Sequence, residues 1–437
     1  MIMKDNSSRG EDRGMRDFLL LWSTQALSVL GSDMTSFALT LWVFQKTGSA
    51  LQTALLSVCS YVPYVLVSIF AGALSDRWDK KKTMLACDTF AALCTVSVLV
   101  LYKTDLLRSW YLYFINAVSG LMNTVQRPAS DVAVTLVTPE GQFQRVSGLR
   151  SLSGSVNMVL HPVIATALYS FGGLDLVIAV DLATFLLAFT ALAFLIRIPA
   201  VGKTGDTEQR SVLQSAKEGL LFLREKKLVF YLILFLAGVN LVASAFDSIL
   251  PAYILPLANG GETVLGTVMS VAGLAMIAGS LIVTAFPSPK DRVKVILYTM
   301  LFSLTTDNFL MSLSRSPVMW CAAQVLGYVP VPIMSSNLDV VIRTSIPVEM
   351  QGRVYACRNT LQFFTIPVGQ FLGGLLVDRV CEPYMASAGE GFAAECFGSG
   401  PGSGAAMMIF ILGIAGLVIC LVFMRILKGY SYKENQC

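Results

Sequence analysis

Apolar stretches long enough to cross a membrane alternate with short polar connections along almost the whole chain. A membrane-spanning helix needs about 20 mostly apolar residues. Twelve segments meet this length, and we number the predicted helices 1 to 12 in chain order: 17–44, 51–75, 83–103, 109–130, 145–169, 174–198, 228–256, 263–286, 292–313, 317–339, 353–377 and 404–427. The pattern predicts an all-α polytopic membrane protein.

The longest polar interruption, residues 199–227, separates six helices from six. Its second part, 211–227, carries apolar residues at helical spacing, which predicts an amphipathic helix on the cytoplasmic surface. The predicted organisation is an N-terminal cytoplasmic tail 1–16, a six-helix bundle 17–198, a cytoplasmic linker 199–227, a second six-helix bundle 228–427 and a cytoplasmic tail 428–437.

The two halves repeat each other in sequence. The stretch Asp131–Arg150 matches Asp339–Arg358 at a constant offset of 208, and Gly48–Ser57 matches Gly261–Ser270 at an offset of 213. Parallel repeats of six helices predict two pseudo-symmetric bundles with a binding site near the membrane midplane, between the halves. This symmetry favours alternating access by rocking of the halves.

The composition agrees with a membrane protein. Hydrophobic residues make up 55% of the 437 residues and charged residues 14%, against about 25% charged in soluble domains. The net charge of +4 is too small to indicate a nucleic-acid partner. The first apolar run is longer than the roughly 7–15 apolar residues of a signal peptide, so we expect helix 1 to be retained.

The basic residues predict the orientation. Lysine and arginine are enriched in cytoplasmic loops. If the N-terminus is cytoplasmic, the 32 basic residues all lie on the cytoplasmic side except Lys46, Lys103, Arg108, Arg315 and Arg379. We therefore expect a multi-pass protein of the cell membrane with both termini in the cytoplasm.

The sequence offers little for catalysis or metal binding. The nine cysteines form no C-x-x-C pair, His161 is the one histidine, and no G-x-S-x-G or H-E-x-x-H motif occurs. We expect no enzyme activity, no catalytic residues, no metal and no cofactor. Cys381 and Cys396 share one polar loop, where they can pair in an oxidising compartment or remain free thiols.

The connection between helices 2 and 3 reads Gly72-Ala-Leu-Ser-Asp-Arg-Trp-Asp-Lys-Lys-Lys82. It resembles the loop 2–3 signature G-x-L-x-D-R-x-G-R-K of the major facilitator superfamily. The segment 47–57, the loop Asp131–Arg145 and the stretch from Asp378 to Ala405 further resemble the macrolide-efflux branch, the third drug/proton antiporter family. The likeness covers nearly the whole chain and implies the twelve-helix fold of that superfamily.

The signature also suggests a conformational latch. Gly72 permits close helix packing, and Asp76 can cap the N-terminus of a neighbouring helix, for which the repeat suggests helix 11. Lys80 or Lys81 can then reach Asp131 at the end of helix 4. The predicted latch residues are Gly72, Asp76, Arg77, Lys80, Lys81 and Asp131.

The alternative is that the lysines merely follow the positive-inside rule. Two positions depart from the signature, since Asp79 replaces the loop glycine and Lys80 replaces an arginine. The second-half copy, 287–294, lacks the key aspartate, so we expect any latch to be asymmetric.

Carboxylates inside membrane helices are candidates for proton coupling. Placing a charge at the bilayer centre costs at least about 2.5 kcal/mol, so such residues are functional candidates. Asp33 lies in helix 1, Asp181 in helix 6, Asp247 in helix 7 and Asp307 in helix 9. The resemblance implies that helices 1 and 7 line the cavity, which favours Asp33 and Asp247, and that helices 6 and 9 are peripheral.

For Asp181 and Asp307 we therefore favour a structural role, hydrogen-bonded to neighbouring helices, over proton coupling. Asp88 and Asp175 lie nearer the membrane interfaces, and we expect both to be solvated.

Helix 5 carries His161-Pro162 where drug antiporters have a glycine and a proline. A histidine titrates near neutral pH, so His161 can carry a proton. It can equally be a neutral, hydrogen-bonded group of the core.

A substrate pocket would be built from helices 1, 4, 7 and 10 with helices 2, 5, 8 and 11. The candidate lining residues are Trp22, Phe37, Tyr61, Tyr64, Asn116, Asn240, Phe246, Tyr328, Asn337 and Phe363. An aromatic, sparsely polar pocket suits bulky amphipathic molecules. The expected partners are a small-molecule substrate, protons and the lipid bilayer, with no nucleic acid, for a protein that acts as a monomer.

The leading hypothesis is a secondary active transporter that exports hydrophobic or amphipathic compounds, of drug or macrolide type, in exchange for protons. An alternative on the same fold is a permease or exporter of a lipid, a siderophore or another metabolite. A sensor or scaffold without transport is a different class, and we expect sizeable soluble domains in such a protein. The longest loop, residues 199–227, is too short for such a domain.

Overall fold

The structure is a computed structural model, and it describes residues 2–139, 142–199, 220–287, 289–387 and 391–430. All regular secondary structure in these ranges is helical. Of the predicted amphipathic linker helix, residues 220–225 are helical and residues 211–219 lie outside the described part. The side chains of Asp76 and Arg77 and the surroundings of Gly72 also lie outside it.

Each of the twelve predicted segments is helical, and we keep their numbers. Helix 1 extends further toward the N-terminus than predicted and begins at Ile2. The uninterrupted helices are Ile2–Thr47 (helix 1), Ala50–Arg77 (helix 2), Lys80–Lys103 (helix 3), Ser109–Val137 (helix 4), Lys227–Ile254 (helix 7), Glu262–Ala285 (helix 8), Arg292–Leu313 (helix 9) and Ser403–Leu427 (helix 12).

Helices 5 and 6 form one stretch, Phe143–Thr190, that is broken in the middle. At Gly172 and Gly173 the backbone leaves the helical region, with φ −138° and ψ 16°, then φ 63° and ψ −161°. The second conformation favours glycine because a Cβ atom is strained there. A π-helical turn, Ala191–Leu195, continues helix 6.

Helices 10 and 11 are each built from two helical pieces. Helix 10 comprises Pro317–Tyr328 and Pro330–Ser345, and helix 11 comprises Val348–Phe363 and Thr365–Leu376. Proline has no N–H and clashes with the preceding turn, which explains the break before Pro330. A π-helical turn, Val377–Cys381, ends helix 11, and the short helices Glu382–Ser387 and Phe392–Phe397 lead to helix 12.

The predicted spans agree with the hydropathy of the observed helices. Nine helices in the described ranges are long and apolar enough to cross a membrane, and one of them, Arg145–Leu195, holds helices 5 and 6. The other two predicted spans are Ser109–Val137, with 29 residues, and Arg292–Leu313, with 22 residues. These two helices have the required length but contain more polar side chains.

The chain forms two compact units. Unit 1 contains Met1–Trp42 and Cys59–Gln209, and unit 2 contains Val43–Val58 and Arg210–Cys437. The division after residue 209 falls inside the predicted linker. The segment Val43–Val58, predicted within the first bundle, groups with unit 2 because it hydrogen-bonds to residues of helices 8 and 11.

Each unit has its own packed interior. In unit 1, Phe18, Leu21, Met84 and Leu192 belong to one cluster of buried side chains from helices 1, 3, 4, 5 and 6. In unit 2, the Tyr253 hydroxyl donates to the carbonyl oxygen of Met311 at 2.8 Å and accepts from the indole N–H of Trp320 at 3.1 Å. This pair joins helices 7, 9 and 10.

Helices 2 and 4 touch at Gly120. A Cβ atom there would lie 2.1 Å from the carbonyl oxygen of Ser60, so only glycine fits this crossing. We expect Gly120→Ala to destabilise the protein by about 3 kcal/mol, because the helices must separate. The midpoint of thermal unfolding in detergent measures the effect.

Gly148 provides the matched control, since a Cβ atom there meets no atom within 4 Å. Gly148→Ala should leave the midpoint unchanged or raise it slightly, because alanine favours the helix. Equal midpoints for the two variants would show that helix 2 does not pack on helix 4 in this way.

Candidate functional site

In unit 1, Asp33 and His161 lie in one site, joined through a residue that the sequence had not singled out. The side-chain N–H of Asn157, on helix 5, donates to Oδ2 of Asp33, on helix 1, at 2.5 Å. One turn later, Nδ1 of His161 lies 2.9 Å from the backbone oxygen of Asn157. Two residues proposed separately for proton coupling are therefore neighbours.

The histidine contact defines which ring nitrogen carries the hydrogen. A carbonyl oxygen only accepts, so Nδ1 of His161 must donate to Asn157, and in the neutral ring Nε2 is then the acceptor. Phe37 packs against this ring edge to face, with ring centroids 6.4 Å apart and an interplanar angle of 75°. Phe37, a candidate substrate contact, is buried beneath the histidine.

Asn157 also carries an acceptor without a partner. Its Oδ1 atom is buried and meets no hydrogen-bond donor in the described part of the chain. A buried acceptor of this kind is costly unless a donor satisfies it during function. The sequence signal that could have revealed Asn157 is its position one helical turn before His161, on the same face of helix 5.

Asp181 forms a separate, closed arrangement. The residue is 3% exposed, and its carboxylate accepts from the hydroxyls of Thr35 at 2.9 Å, Ser32 at 3.2 Å and Thr95 at 3.4 Å. Helix 1 thus presents Asp33 to helix 5 and the two flanking hydroxyls to helix 6. The contacts of Asp181 are those of a group that holds helices together.

The expectation that Asp88 is solvated is wrong. It is 8% exposed rather than solvated, and it accepts from the side-chain amides of Gln126 at 2.6 Å and Gln25 at 3.4 Å. The reason is that helix 3 turns this carboxylate toward helices 1 and 4. Asp175 is only partly solvated: its Oδ2 atom pairs with Lys103 at 2.6 Å, whereas its Oδ1 atom is buried and meets no hydrogen-bond donor among the described residues.

In unit 2, Asp247 meets a residue proposed as a substrate contact. The hydroxyl of Tyr328, on helix 10, donates to Oδ1 of Asp247, on helix 7, at 3.0 Å. Asp247 is exposed although it lies within a membrane-length helix, about two turns before its end at Ile254. A candidate proton site and a candidate substrate contact are thus directly connected.

Asp307 contacts the same part of helix 10. It is 6% exposed and accepts from the side-chain amide of Gln324 at 3.1 Å. A Cβ atom at Gly327 would lie 2.6 Å from its carboxylate, so this glycine lets helices 9 and 10 come together. Helix 10 therefore contacts Asp307 through Gly327 and Asp247 through Tyr328.

Three of the candidate substrate residues bind other helices. Trp22 donates its indole N–H to the carbonyl oxygen of Leu149 at 3.0 Å, and Asn240 donates to that of Gln362 at 3.1 Å. The buried Asn337 accepts from the guanidinium of Arg292 at 3.1 Å. Of the others, Tyr61 is exposed, Phe246 is buried, and three are partly buried: Tyr64, Asn116 and Phe363.

Of the predicted latch residues, the structure describes the side chains of Lys80, Lys81 and Asp131. Lys81 donates its ammonium to the carbonyl oxygens of Ala193 at 3.0 Å and Ile196 at 2.9 Å, which ties helix 3 to the end of helix 6. Lys80 is buried. The carboxylate of Asp131 forms an ion pair with Arg150 at the surface.

The sequence repeat recurs in these contacts. Asp131 pairs with Arg150 in unit 1, and Asp339 pairs with Arg358 at 3.6 Å in unit 2, at the same offset of 208.

Asp79, which replaces the loop glycine of the signature, caps helix 3 by accepting from the backbone N–H of Lys82 at 2.8 Å. Its counterpart before helix 9 caps that helix in the same way.

The described residues contain no group of three or more histidine, cysteine, aspartate or glutamate side chains that could hold a metal ion. Cys381 and Cys396 carry separate free thiols in this structure, which corresponds to the second of the two alternatives for this loop.

Comparisons with known proteins place this arrangement in a family. The model of the Major Facilitator Superfamily matches residues 21–369. The chain is 25% identical over 367 residues to macrolide efflux protein A of Streptococcus pyogenes, covering 83% of this chain and 90% of that protein. It is 23% identical to the multidrug efflux pump Tap of Mycolicibacterium fortuitum, covering 80% and 86%.

A solved structure shares the fold. The chain aligns with a bacterial homolog of the human lysosomal transporter Spinster with a TM-score of 0.70 and 14% identity, over 97% of this chain and 99% of that chain. The likeness supports the twelve-helix, two-bundle architecture that the repeats predict. Since the family model spans most of the chain, this protein belongs to the Major Facilitator Superfamily and is a multi-pass membrane transporter, not an enzyme.

Proposed function

We propose that this secondary transporter exports hydrophobic or amphipathic compounds in exchange for protons, by alternating access of its two halves. The observation that carries the proposal is the pair of polar sites, Asp33 with Asn157 and His161 in unit 1, and Asp247 with Tyr328 in unit 2. Each places a carboxyl group beside a neutral hydrogen-bond donor. Such a group can gain or lose a proton without breaking an ion pair.

The sites suggest how proton and substrate movements are coupled. A proton taken up by Asp33 or Asp247 on the outer side neutralises the carboxylate, which makes the closed, water-poor state less costly. Release on the inner side restores the charge and its need for water or a donor. In unit 1, the imidazole of His161 supplies a further position for that proton, and the unpartnered oxygen of Asn157 can accept a hydrogen bond from a protonated neighbour.

The substrate class rests on different support. The two efflux relatives are named for macrolides and for multiple drugs. Aromatic side chains outnumber charged ones among the candidate contacts, which suits bulky amphipathic molecules. One fold carries many substrates in this kind of protein, so a lipid, siderophore or other metabolite as cargo is the alternative outcome of the experiment below.

The topology follows from the charge distribution. We propose that both termini face the cytoplasm, because the basic residues then concentrate on that side. The chain contains both halves, so we propose that it functions as a monomer. A cysteine substituted at Lys46 should react with a membrane-impermeant maleimide added to intact cells, and one at Lys428 should react only in everted vesicles. Labelling of both from outside would contradict the topology.

Expression in a bacterial strain without its major efflux pumps tests the substrate class. We expect several-fold higher minimal inhibitory concentrations for the macrolide erythromycin or for amphipathic dyes, because export lowers their internal concentration. Asp33→Asn serves as the transport-deficient control at equal membrane abundance. No protection against any compound of a broad panel would exclude drug export and leave metabolite transport.

The loop between helices 2 and 3 remains a proposed latch, in which Gly72 allows close helix packing, Asp76 caps a neighbouring helix and Lys80 or Lys81 reaches Asp131. Asp131→Lys combined with Lys80→Asp should recover transport that either single change loses, because the swap restores the attraction. Arg150→Gln is the control, since Arg150 already pairs with Asp131. If Arg150→Gln alone reproduces the loss, or the double variant does not recover, Lys80 is not the partner.

A further inference from the structure

The pattern G-x-L-x-D-R occurs twice in the chain, each time at the end of a membrane helix. The first copy is Gly72–Arg77, at the end of helix 2, and the second is Gly374–Arg379, at the end of helix 11. In the proposed topology helix 2 ends on the cytoplasmic side and helix 11 ends on the outer side. The second copy lies wholly within the described residues.

Asp378 of the second copy occupies the N-terminus of helix 2. Its Oδ1 atom accepts from the backbone N–H of Ala50 at 2.9 Å, and Oδ2 accepts from that of Leu51 at 3.0 Å. The hydroxyl of Ser49 donates to the same carboxylate at 2.5 Å and accepts from the N–H of Gln52 at 3.0 Å. The first N–H groups of a helix have no partner within it, and a negative charge is favourable there.

Gly374 brings the two helices into backbone contact one turn before this carboxylate. A Cβ atom at Gly374 would lie 2.7 Å from Cα of Leu51 and 2.9 Å from the backbone oxygen of Ala50. The methyl group of Ala54 lies next to the same glycine and is fully covered. Small residues allow such close packing of membrane helices, so the glycine and the aspartate of the pattern act on the same turn of helix 2.

A second carboxylate, directly after helix 11, caps the N-terminus of helix 12. Glu382, one turn after Asp378, accepts from the backbone N–H of Gly402 at 3.0 Å and of Ala405 at 3.3 Å, at the start of helix 12. Helices 11 and 12 both belong to the second half of the sequence. Helix 2 belongs to the first half, yet its first residues group with unit 2 and its residues from Cys59 onward with unit 1.

Helix 2 is thus divided between two units, and one carboxylate caps its beginning. We propose that Asp378 is an outer latch, a positioning residue that fastens the start of helix 2 to helix 11 and releases it once in each transport cycle. It mirrors the cytoplasmic signature, where the same pattern ends helix 2. The inference rests on the proposed alternating access, but not on any substrate or on protons.

The latch can be tested by cysteine accessibility in a variant whose nine native cysteines are replaced. Ala54→Cys reports on the contact, since Ala54 lies beside Gly374 of helix 11 and is buried in this structure. In right-side-out vesicles without substrate or gradient, we expect Asp378→Asn to raise the rate of labelling by a membrane-impermeant maleimide about tenfold, the effect of losing a charged helix cap. Ser49→Ala, which removes a single hydroxyl, should raise it about threefold.

Glu382→Gln is the matched control, because Glu382 caps a helix of its own half. It should lower the midpoint of thermal unfolding and leave the labelling rate of Ala54→Cys unchanged. Asp378→Asn should change the labelling rate without a larger fall in that midpoint. Unchanged labelling in Asp378→Asn and Ser49→Ala, or an equal rise in Glu382→Gln, would overturn the latch.

The two proposals fail separately. Labelling requires neither a substrate nor a proton gradient, so the latch can be refuted while proton-driven export stands. Absence of drug export, in turn, leaves the labelling result unaffected.

Discussion

Asp33→Asn is expected to abolish uphill export while substrate exchange down its gradient persists. Asparagine has the shape of aspartate and can still bond to Asn157, but it cannot take up or release a proton. Uphill movement should fall to the level of vesicles without the protein, because coupling requires a titrating group. Uptake of labelled erythromycin into everted vesicles, with and without a pH gradient, separates the two activities.

Asp181→Asn is the control for this experiment, because Asp181 lies on the other side of helix 1 and accepts from three hydroxyls. Its substitution should lower the unfolding midpoint and leave the proton dependence of the remaining transport unchanged. An Asp33→Asn variant with the proton dependence of the wild type would remove Asp33 from coupling.

Asp247→Asn is expected to have an equally large effect in the second unit. Asp247 is exposed within helix 7 and accepts from the hydroxyl of Tyr328, so we expect its carboxyl group to exchange protons. Uphill export should again fall to background. Tyr328→Phe keeps the carboxylate and removes the hydroxyl of a candidate substrate contact. We therefore expect about a tenfold rise in the half-saturating substrate concentration, with proton coupling retained.

Asp307→Asn distinguishes the two carboxylates that flank helix 10. Asp307 is packed against Gly327 and Gln324, so its substitution should reduce the amount of folded protein more than the coupling. The assignment is reversed if Asp307→Asn uncouples transport at normal abundance and Asp247→Asn does not.

Much of the architecture can be predicted from the sequence because the membrane imposes strong constraints. The length of each apolar segment predicted the helices, and constant offsets between the halves predicted the repeat that recurs as two ion pairs, Asp131–Arg150 and Asp339–Arg358. The loop signature and the paired halves are together sufficient to indicate the superfamily.

The partners of individual residues could be predicted less well, because they depend on helix rotation. Sequence position places Asp88 near an interface, but only the rotation of helix 3 shows that it points to Gln25 and Gln126. Asn157 was overlooked for the same reason, since an amide on an apolar helix does not reveal that it faces Asp33.

Contacts between distant parts of the sequence were the hardest to foresee. Ser49 and Asp378 are separated by 329 residues, and the apolar pattern around either gives no sign of the other. Their contact explains why Val43–Val58 groups with unit 2. The second copy of the G-x-L-x-D-R pattern was the available signal, and its meaning depends on the observed hydrogen bonds.

If protons drive export through carboxylates in both units, substrate and protons must cross the membrane in opposite directions. Everted vesicles or proteoliposomes with an acidic lumen and no other ion gradient are given erythromycin, and its uptake is recorded together with the luminal pH. We predict that erythromycin accumulates as the lumen becomes more alkaline, and that both changes disappear in Asp33→Asn and in Asp247→Asn. Accumulation that continues unchanged after a protonophore has collapsed the gradient would contradict the claim.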